Sequence, residues 1–210
     1  MKRLITLFIA LCIGIAAQAQ RPYFCITPGT TLEYQSYDNN GELSGITRTT
    51  IKSVEGANGS YEVSYSAQVC DAEGNDLMAP IEMTASIKDG NMSAALGNIG
   101  VEVTGDVPLI PSRLAVGQQL GTGTLKINTM GMTVTSTIET HKVVDREELE
   151  TPAGTYKCYI VLQRTSSKVM GITAQGATQT WYARGIGAVK TETYDAKDNL
   201  VSYQILTGIK

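Results

Sequence analysis

The 210 residues contain one histidine, one tryptophan, two phenylalanines and four cysteines, and each scarcity removes a class of chemistry. Transition-metal centres need His, Cys or carboxylates gathered in close pairs. Cys25, Cys70 and Cys158 are separated by 44 and 87 residues, and His141 stands alone. The sequence therefore predicts no metal and no cofactor. A catalytic cysteine would need a basic partner, and His141 is the only candidate. No residue is assigned a catalytic role. Helix-period stretches of ten or more residues are missing beyond the first twenty, and no later run is apolar enough to span a bilayer.

Charge is sparse too. Charged residues make up 18%, below the usual share of about 25%. Lys2 and Arg3 precede an apolar run from Leu4 to Ala17, and Ala17-Gln-Ala19 places small residues where a signal peptidase reads. Residues 1–19 are thus expected to be a signal peptide, which makes the protein exported, periplasmic or secreted, with no stable membrane span after cleavage. Cys12 lies inside the apolar run behind the bulky Leu11, which argues against a lipid-anchor signal there. Removing Lys2 and Arg3 from the 17 basic residues leaves 15 against 20 acidic ones, a net charge of −5. An acidic chain without a basic stripe is a poor partner for nucleic acid. Export to an oxidising compartment allows one disulfide among Cys25, Cys70 and Cys158, or three buried thiols.

What the chain has is Thr, Ser, Tyr and turn residues. Tyr61, Val63, Tyr65, Ala67 and Val69 alternate with Glu62, Ser64, Ser66 and Gln68, a half-buried strand pattern. Turn signals recur every eight to twelve residues, among them Asn39-Asn40-Gly41, Asp71 to Asn75, Asp89-Gly90-Asn91 and Asp195 to Asn199. Asp145 to Gly154 reads as a polar turn, and Ser166 to Gly176 as a loop or short strand. Two prolines three apart in Val107-Pro-Leu-Ile-Pro111 forbid a central strand. That segment, through Gly117, is expected to cross one face, with a helical turn over 112–116. The closing stretch from Thr180 to Leu206 reads as strand, glycine corner, strand, tight turn, strand. The expected fold is mainly β: a single strongly curved antiparallel sheet, a half-barrel or open barrel, with short helical turns or a loop cover. Residues 20–210 read as one domain.

Other candidates read as structure. Asp71-Ala-Glu-Gly-Asn-Asp76 has alternating oxygen ligands for calcium, but suits a solvated hairpin better. Asp145, Glu147, Glu148 and Glu150 could supply a carboxylate pair, though Arg146 interrupts them as in a solvated loop. Gly185-Ile-Gly187 is followed by no helix that could hold a phosphate, so its glycines are expected to bend a strand or form a bulge. Arg184 stacks on a ring or faces solvent. Asn58-Gly-Ser60 and Asn91-Met-Ser93 are acceptor-like for N-glycosylation, but read more simply as turns.

Thr151-Pro-Ala-Gly-Thr-Tyr-Lys-Cys-Tyr-Ile160, Thr180-Trp-Tyr-Ala-Arg-Gly-Ile-Gly-Ala-Val-Lys190, Leu114-Ala-Val-Gly117 and Pro28-Gly-Thr-Thr-Leu-Glu-Tyr34 together resemble an uncharacterised family of exported bacterial proteins, the TapB-like family. Its wider relatives have a domain of unknown function on a lipoprotein-carrier-like sheet. The likeness covers most of residues 28–206. It implies a curved antiparallel sheet and carries over no catalytic residue.

The functional expectation is a non-enzymatic binding domain of the cell envelope. Met78, Met83, Met92, Met130 and Met132 suggest an adaptable apolar face on the concave side. Its partner would be a lipid, a hydrophobic peptide or a lipoprotein-like envelope protein. The alternatives are that these methionines simply fill the core, or that the protein is an interaction or scaffold module with no small ligand.

Overall fold

The computed structural model describes residues 21–95, 102–105, 108–129, 132–169 and 171–210. The expected signal peptide at 1–19 lies outside the described residues. The chain forms β1 (Thr31–Asp38), β2 (Leu43–Ala57), β3 (Ser60–Cys70), β4 (Ile81–Lys88), β5 (Asn91–Ala95) and β6 (Glu102–Gly105). It continues as β7 (Gly123–Thr129), β8 (Met132–Thr151), β9 (Gly154–Val169), β10 (Ile172–Ala183), β11 (Gly187–Tyr194) and β12 (Leu200–Ile209). All twelve join one antiparallel sheet, an open curved sheet not closed into a barrel, and no described residue is helical. The expected helical turn over 112–116 is instead a pair of non-helical turns.

Strand order is β5-β4-β3-β2-β1-β12-β11-β10-β9-β8-β7-β6, so β1 and β12 meet in the middle and the chain passes from one edge to the other between β5 and β6. This order forces curvature. Twelve strands laid flat at ~4.8 Å spacing would separate the edges by roughly 53 Å. Seven residue steps lead from Ala95 to Glu102, and extended chain covers about 25 Å at most over that length. The sheet has to curl until its edges approach.

The hairpin turns follow their chemistry. Asp89 and Gly90 both have positive φ, at 52° and 78°, the requirement of a two-residue type I′ turn. One stretch differs from expectation, and in a second the strand alternative is the one found. Residues 145–151 continue β8 rather than turning, paired from Asp145↔Ile160 to Thr151↔Gly154. Residues 166–169 and 172–176, expected as a loop or short strand, supply the ends of β9 and β10, paired from Ile172↔Val169 to Gly176↔Thr165. In both, backbone pairing outweighs polar composition.

Two segments lie over the inner face. The crossing segment holds on to β5 through Ile110 and Met92, which exchange backbone hydrogen bonds of 2.8 and 2.9 Å. It then reaches β8, where Leu120 N–H donates to His141 O and Val143 N–H to Gln118 O. Ile110 sits between Pro108 and Pro111 and keeps the one N–H this join requires. Its neighbour Leu109 points out, while Ile110, Leu114 and Leu120 are buried. The leading segment, residues 21–29, lies over the corner between β10 and β11, where Gly185 N–H donates to Pro22 O at 2.8 Å. Tyr23 and Cys25 from this segment join Ile51, Val63, Ile87, Val143 and Leu206 in one core. Burying a side chain of this size stabilises by about 1.5–3 kcal/mol.

Candidate functional site

The inner face is not filled throughout. A cavity of about 260 Å³ remains between the leading segment, the middle strands and the β10–β11 corner. Its apolar wall includes Phe24, Leu32, Ile51, Tyr65, Met92 and Ile186. Its lining residues with polar side chains include Tyr23, Tyr34, Thr47, Thr49, Tyr65, Tyr182 and Gln204. Leu32, Ile51, Tyr65 and Met92 are buried, whereas Phe24, Tyr34, Thr47, Thr49 and Gln204 are only half-buried. Among the described residues, no Asp, Glu, Lys or Arg lines the space.

Local sequence explains the wall. Leu32 and Tyr34 are two apart on β1, and their partners Thr49 and Thr47 are two apart on β2, so all four share a face. Leu206 pairs with Tyr34 from the other side, and Gln204 with Ser36. The Tyr34 hydroxyl donates to Ala188 O at 3.0 Å, tying β1 to the corner. Burial pushes the Tyr34 hydroxyl well above its ordinary range, with Cys25 and Tyr156 adding to the shift. Burial alone pushes Tyr182 up to about 12. Both remain neutral hydroxyls at physiological pH.

The glycine corner, expected to bend a strand or form a bulge, is the turn 184–186 between β10 and β11, and it makes room for the leading segment. Gly185 and Gly187 have φ of 73° and 108°. A Cβ on Gly185 would lie 3.2 Å from Arg21 Cδ, and one on Gly187 3.6 Å from Tyr23 O. Arg184 Nη1 donates to Arg21 O at 3.0 Å, and its guanidinium covers the Tyr23 ring. Tyr23 also meets Tyr159 edge-on at 6.3 Å. The Tyr23 hydroxyl is buried without a hydrogen-bond partner. Burial raises its pKa, and the Arg184 charge opposes the shift.

The expected methionine face divides. Met92 lines the cavity. Met83 is half-buried and packs against the core, and Met78 is 53% exposed on the β3–β4 loop. Met130 and the Met132 side chain lie outside the described residues. Cys25, Cys70 and Cys158 are buried free thiols. Cys25 lines the cavity, and Cys70 accepts from Arg48 Nη1 at 3.2 Å. Burial first, then the Glu147 carboxylate, pushes the Cys158 thiol up to about 12. The remaining candidates are occupied structurally. The two Asp71 carboxylate oxygens accept from Asn75 N–H and Nδ2. Glu147 accepts from Trp181 Nε1. His141 is 4% exposed, and its Nδ1 has no hydrogen-bond partner.

Sequence reasoning singled out Cys25 only as a possible disulfide partner and placed no weight on Tyr23, Phe24, Thr47, Thr49 or Gln204. Tyr34 and Tyr182 stood out only as aromatic residues in strands. The Thr and Gln positions read as solvent-facing, and the leading segment has no periodicity to reveal it.

The DUF3108-like family profile matches residues 27–206. No curated protein matches the sequence. Among solved structures, a candidate exported protein with a YmcC-like fold from Bacteroides fragilis is 25% identical, with a TM-score of 0.76 over 90% of this chain and 99% of its own. A candidate lipoprotein from Parabacteroides distasonis is 22% identical, with a TM-score of 0.77 over 91% of this chain and 99% of its own, a likeness of fold.

Proposed function

The chain belongs to the DUF3108-like family, and from that premise we propose that it is an exported, non-enzymatic binding domain of the cell envelope that holds a small apolar ligand beneath its leading segment. The cavity of about 260 Å³, walled by aromatic and aliphatic side chains and edged by Thr47, Thr49 and Gln204, carries this reading. Ligand sites are typically concave and mostly apolar, with a few placed polar groups. Export is supported by the basic, apolar and Ala-Gln-Ala pattern of residues 2–19 and by the exported relative. The TapB-like resemblance of the 151–160 and 180–190 stretches agrees with the same envelope role.

Native mass spectrometry of the protein purified from its own envelope tests the proposal. A retained small molecule, lost in Thr49→Phe, is the expected result. Recovery of the bare chain alone, with wild type and Thr49→Phe indistinguishable, would overturn it.

A further inference from the structure

We infer that the ligand is an uncharged amphiphile, a short alkyl or acyl tail carrying a hydroxylated neutral head; this rests on the binding reading above and narrows it. The inner face changes character along the strands. Near the leading segment it carries Leu32, Tyr34 and Leu206. One step further lie Ser36 on β1, Gln204 on β12, Thr191 on β11 and Thr180 on β10, consecutive cross-strand partners. Beyond them, Ser202, Thr193 and Thr178 form a second polar row in the same register. All seven are half-buried. Gln204 belongs both to the first row and to the cavity wall, so the two regions are continuous.

The side chains in these rows already bond weakly to one another. Gln204 Nε2 reaches Ser36 Oγ at 3.1 Å and Thr47 Oγ1 at 3.5 Å, and Thr191 Oγ1 reaches Thr180 Oγ1 at 3.5 Å. Each hydroxyl still has acceptor capacity to spare. A bare hydrocarbon lying across them would strip water from these groups and return no hydrogen bond. A carboxylate or phosphate head would bring a charge to a wall whose described residues include no cation to pair with it. A polyol satisfies both conditions: its hydroxyls donate and accept, and it carries no charge. Acylglycerols and alkyl glycosides share this chemistry.

Calorimetric titration of the exported chain with four probes of one tail length tests the assignment: octyl glucoside, 1-octanoylglycerol, octanoate and octanol. At least one polyol probe is expected to bind about tenfold tighter than octanoate and octanol, the scale of one or two well-made hydrogen bonds. Whichever polyol binds better identifies the head as glycosidic or glyceryl. Gln204→Leu should erase that preference and leave octanol binding intact; a surviving preference overturns the inference. Octanoate or octanol binding as tightly as the polyols also overturns it, while leaving the apolar-ligand reading in place. If no probe binds, or Thr49→Phe weakens none of them, both readings fail. Thermal melts establish that each variant folds, and the wild-type series decides the question if one does not.

Discussion

Arg184 lies over Tyr23, its guanidinium carbon 4.5 Å from the ring centroid. One residue of the glycine corner thereby holds Tyr23, in the leading segment, against the sheet. The two partners should respond oppositely to truncation. Arg184→Ala removes the cation–π contact and the bond to Arg21 O, a loss of about 0.5–2 kcal/mol, and limited chymotrypsin digestion should then cut after Tyr23 or Phe24 sooner than in wild type. Tyr23→Phe keeps the ring and removes a buried hydroxyl that has no partner. An unsatisfied buried hydroxyl costs about 1–3 kcal/mol, so the Phe variant should melt at or above the wild-type temperature. A clear drop in its melting temperature would show that the hydroxyl has a partner after all.

Three hairpin turns repeat one device. Asp38, Asp71 and Asp195 each open a five-residue turn, and each carboxylate accepts from the backbone N–H four residues on: Glu42, Asn75 and Asn199. The fourth position is left-handed every time, occupied by Gly41, Gly74 and Asp198 with φ of 81°, 88° and 61°. Only the third turn pays for a side chain there, a cost of about 1–2 kcal/mol that Asp partly avoids. Its exposed ion pair to Arg164, 2.9 Å long, is worth about 0–1 kcal/mol in return. Asp198→Gly is therefore expected to be neutral or stabilising by up to about 1 kcal/mol, and Gly74→Ala destabilising. Chemical denaturation of the two variants checks the opposite signs.

Trp181 is the single tryptophan and is 6% exposed, so its emission reports on one site. Its Nε1 donates to Glu147 Oε1, and Lys190 Nζ sits 4.8 Å from the ring. Glu147→Ala leaves a buried indole N–H without its acceptor, at a cost of about 1–3 kcal/mol. The variant should unfold at lower denaturant, with the change in Trp emission moving to the same midpoint. An unchanged midpoint would mean that water replaces the carboxylate at no cost.

The sheet was legible because its signals are local. Tyr61 to Val69 alternates, and Val63, Tyr65 and Ala67 are buried as that pattern requires. Asn39-Asn40-Gly41 and Asp89-Gly90 mark hairpins that the structure contains. Residues 145–151 were read as a turn because Asp145, Glu147, Glu148 and Glu150 look solvated. They are largely exposed, yet they sit on a strand paired to β9. The crossing segment was marked by Pro108 and Pro111, whose missing N–H groups are visible in sequence. The cavity was not, because its wall is built from seven separate stretches of chain. Thr47, Thr49 and Gln204 have the same composition as an outward face, and only register shows that they share a side with Leu32 and Leu206. Methionine content pointed to Met78 and Met92 equally, although one is exposed and the other lines the cavity.

His141 supplies the prediction that depends most on pH. It is buried on β8, its Nδ1 has no partner, and burial holds its pKa below the ordinary value despite a hydrogen bond with the Gly121 backbone. The folded state therefore resists protonating a group that the unfolded chain protonates near pH 6.5. Between the folded and unfolded values the unfolded chain binds more protons, so stability is complete above about pH 6.5 and falls as pH drops through that window. Asp38, Asp71 and Asp195 act lower on the scale: backbone and side-chain hydrogen bonds depress their pKa values, and their contribution is present above about pH 4 and lost below it. Melting temperature measured from pH 8 to pH 3 should fall in two stages. His141→Leu should flatten the upper stage and leave the lower one unchanged, because the three aspartates occupy turns far along the chain from position 141. A wild-type curve that stays flat between pH 7 and pH 5 would show that the buried imidazolium finds an acceptor able to hold its proton.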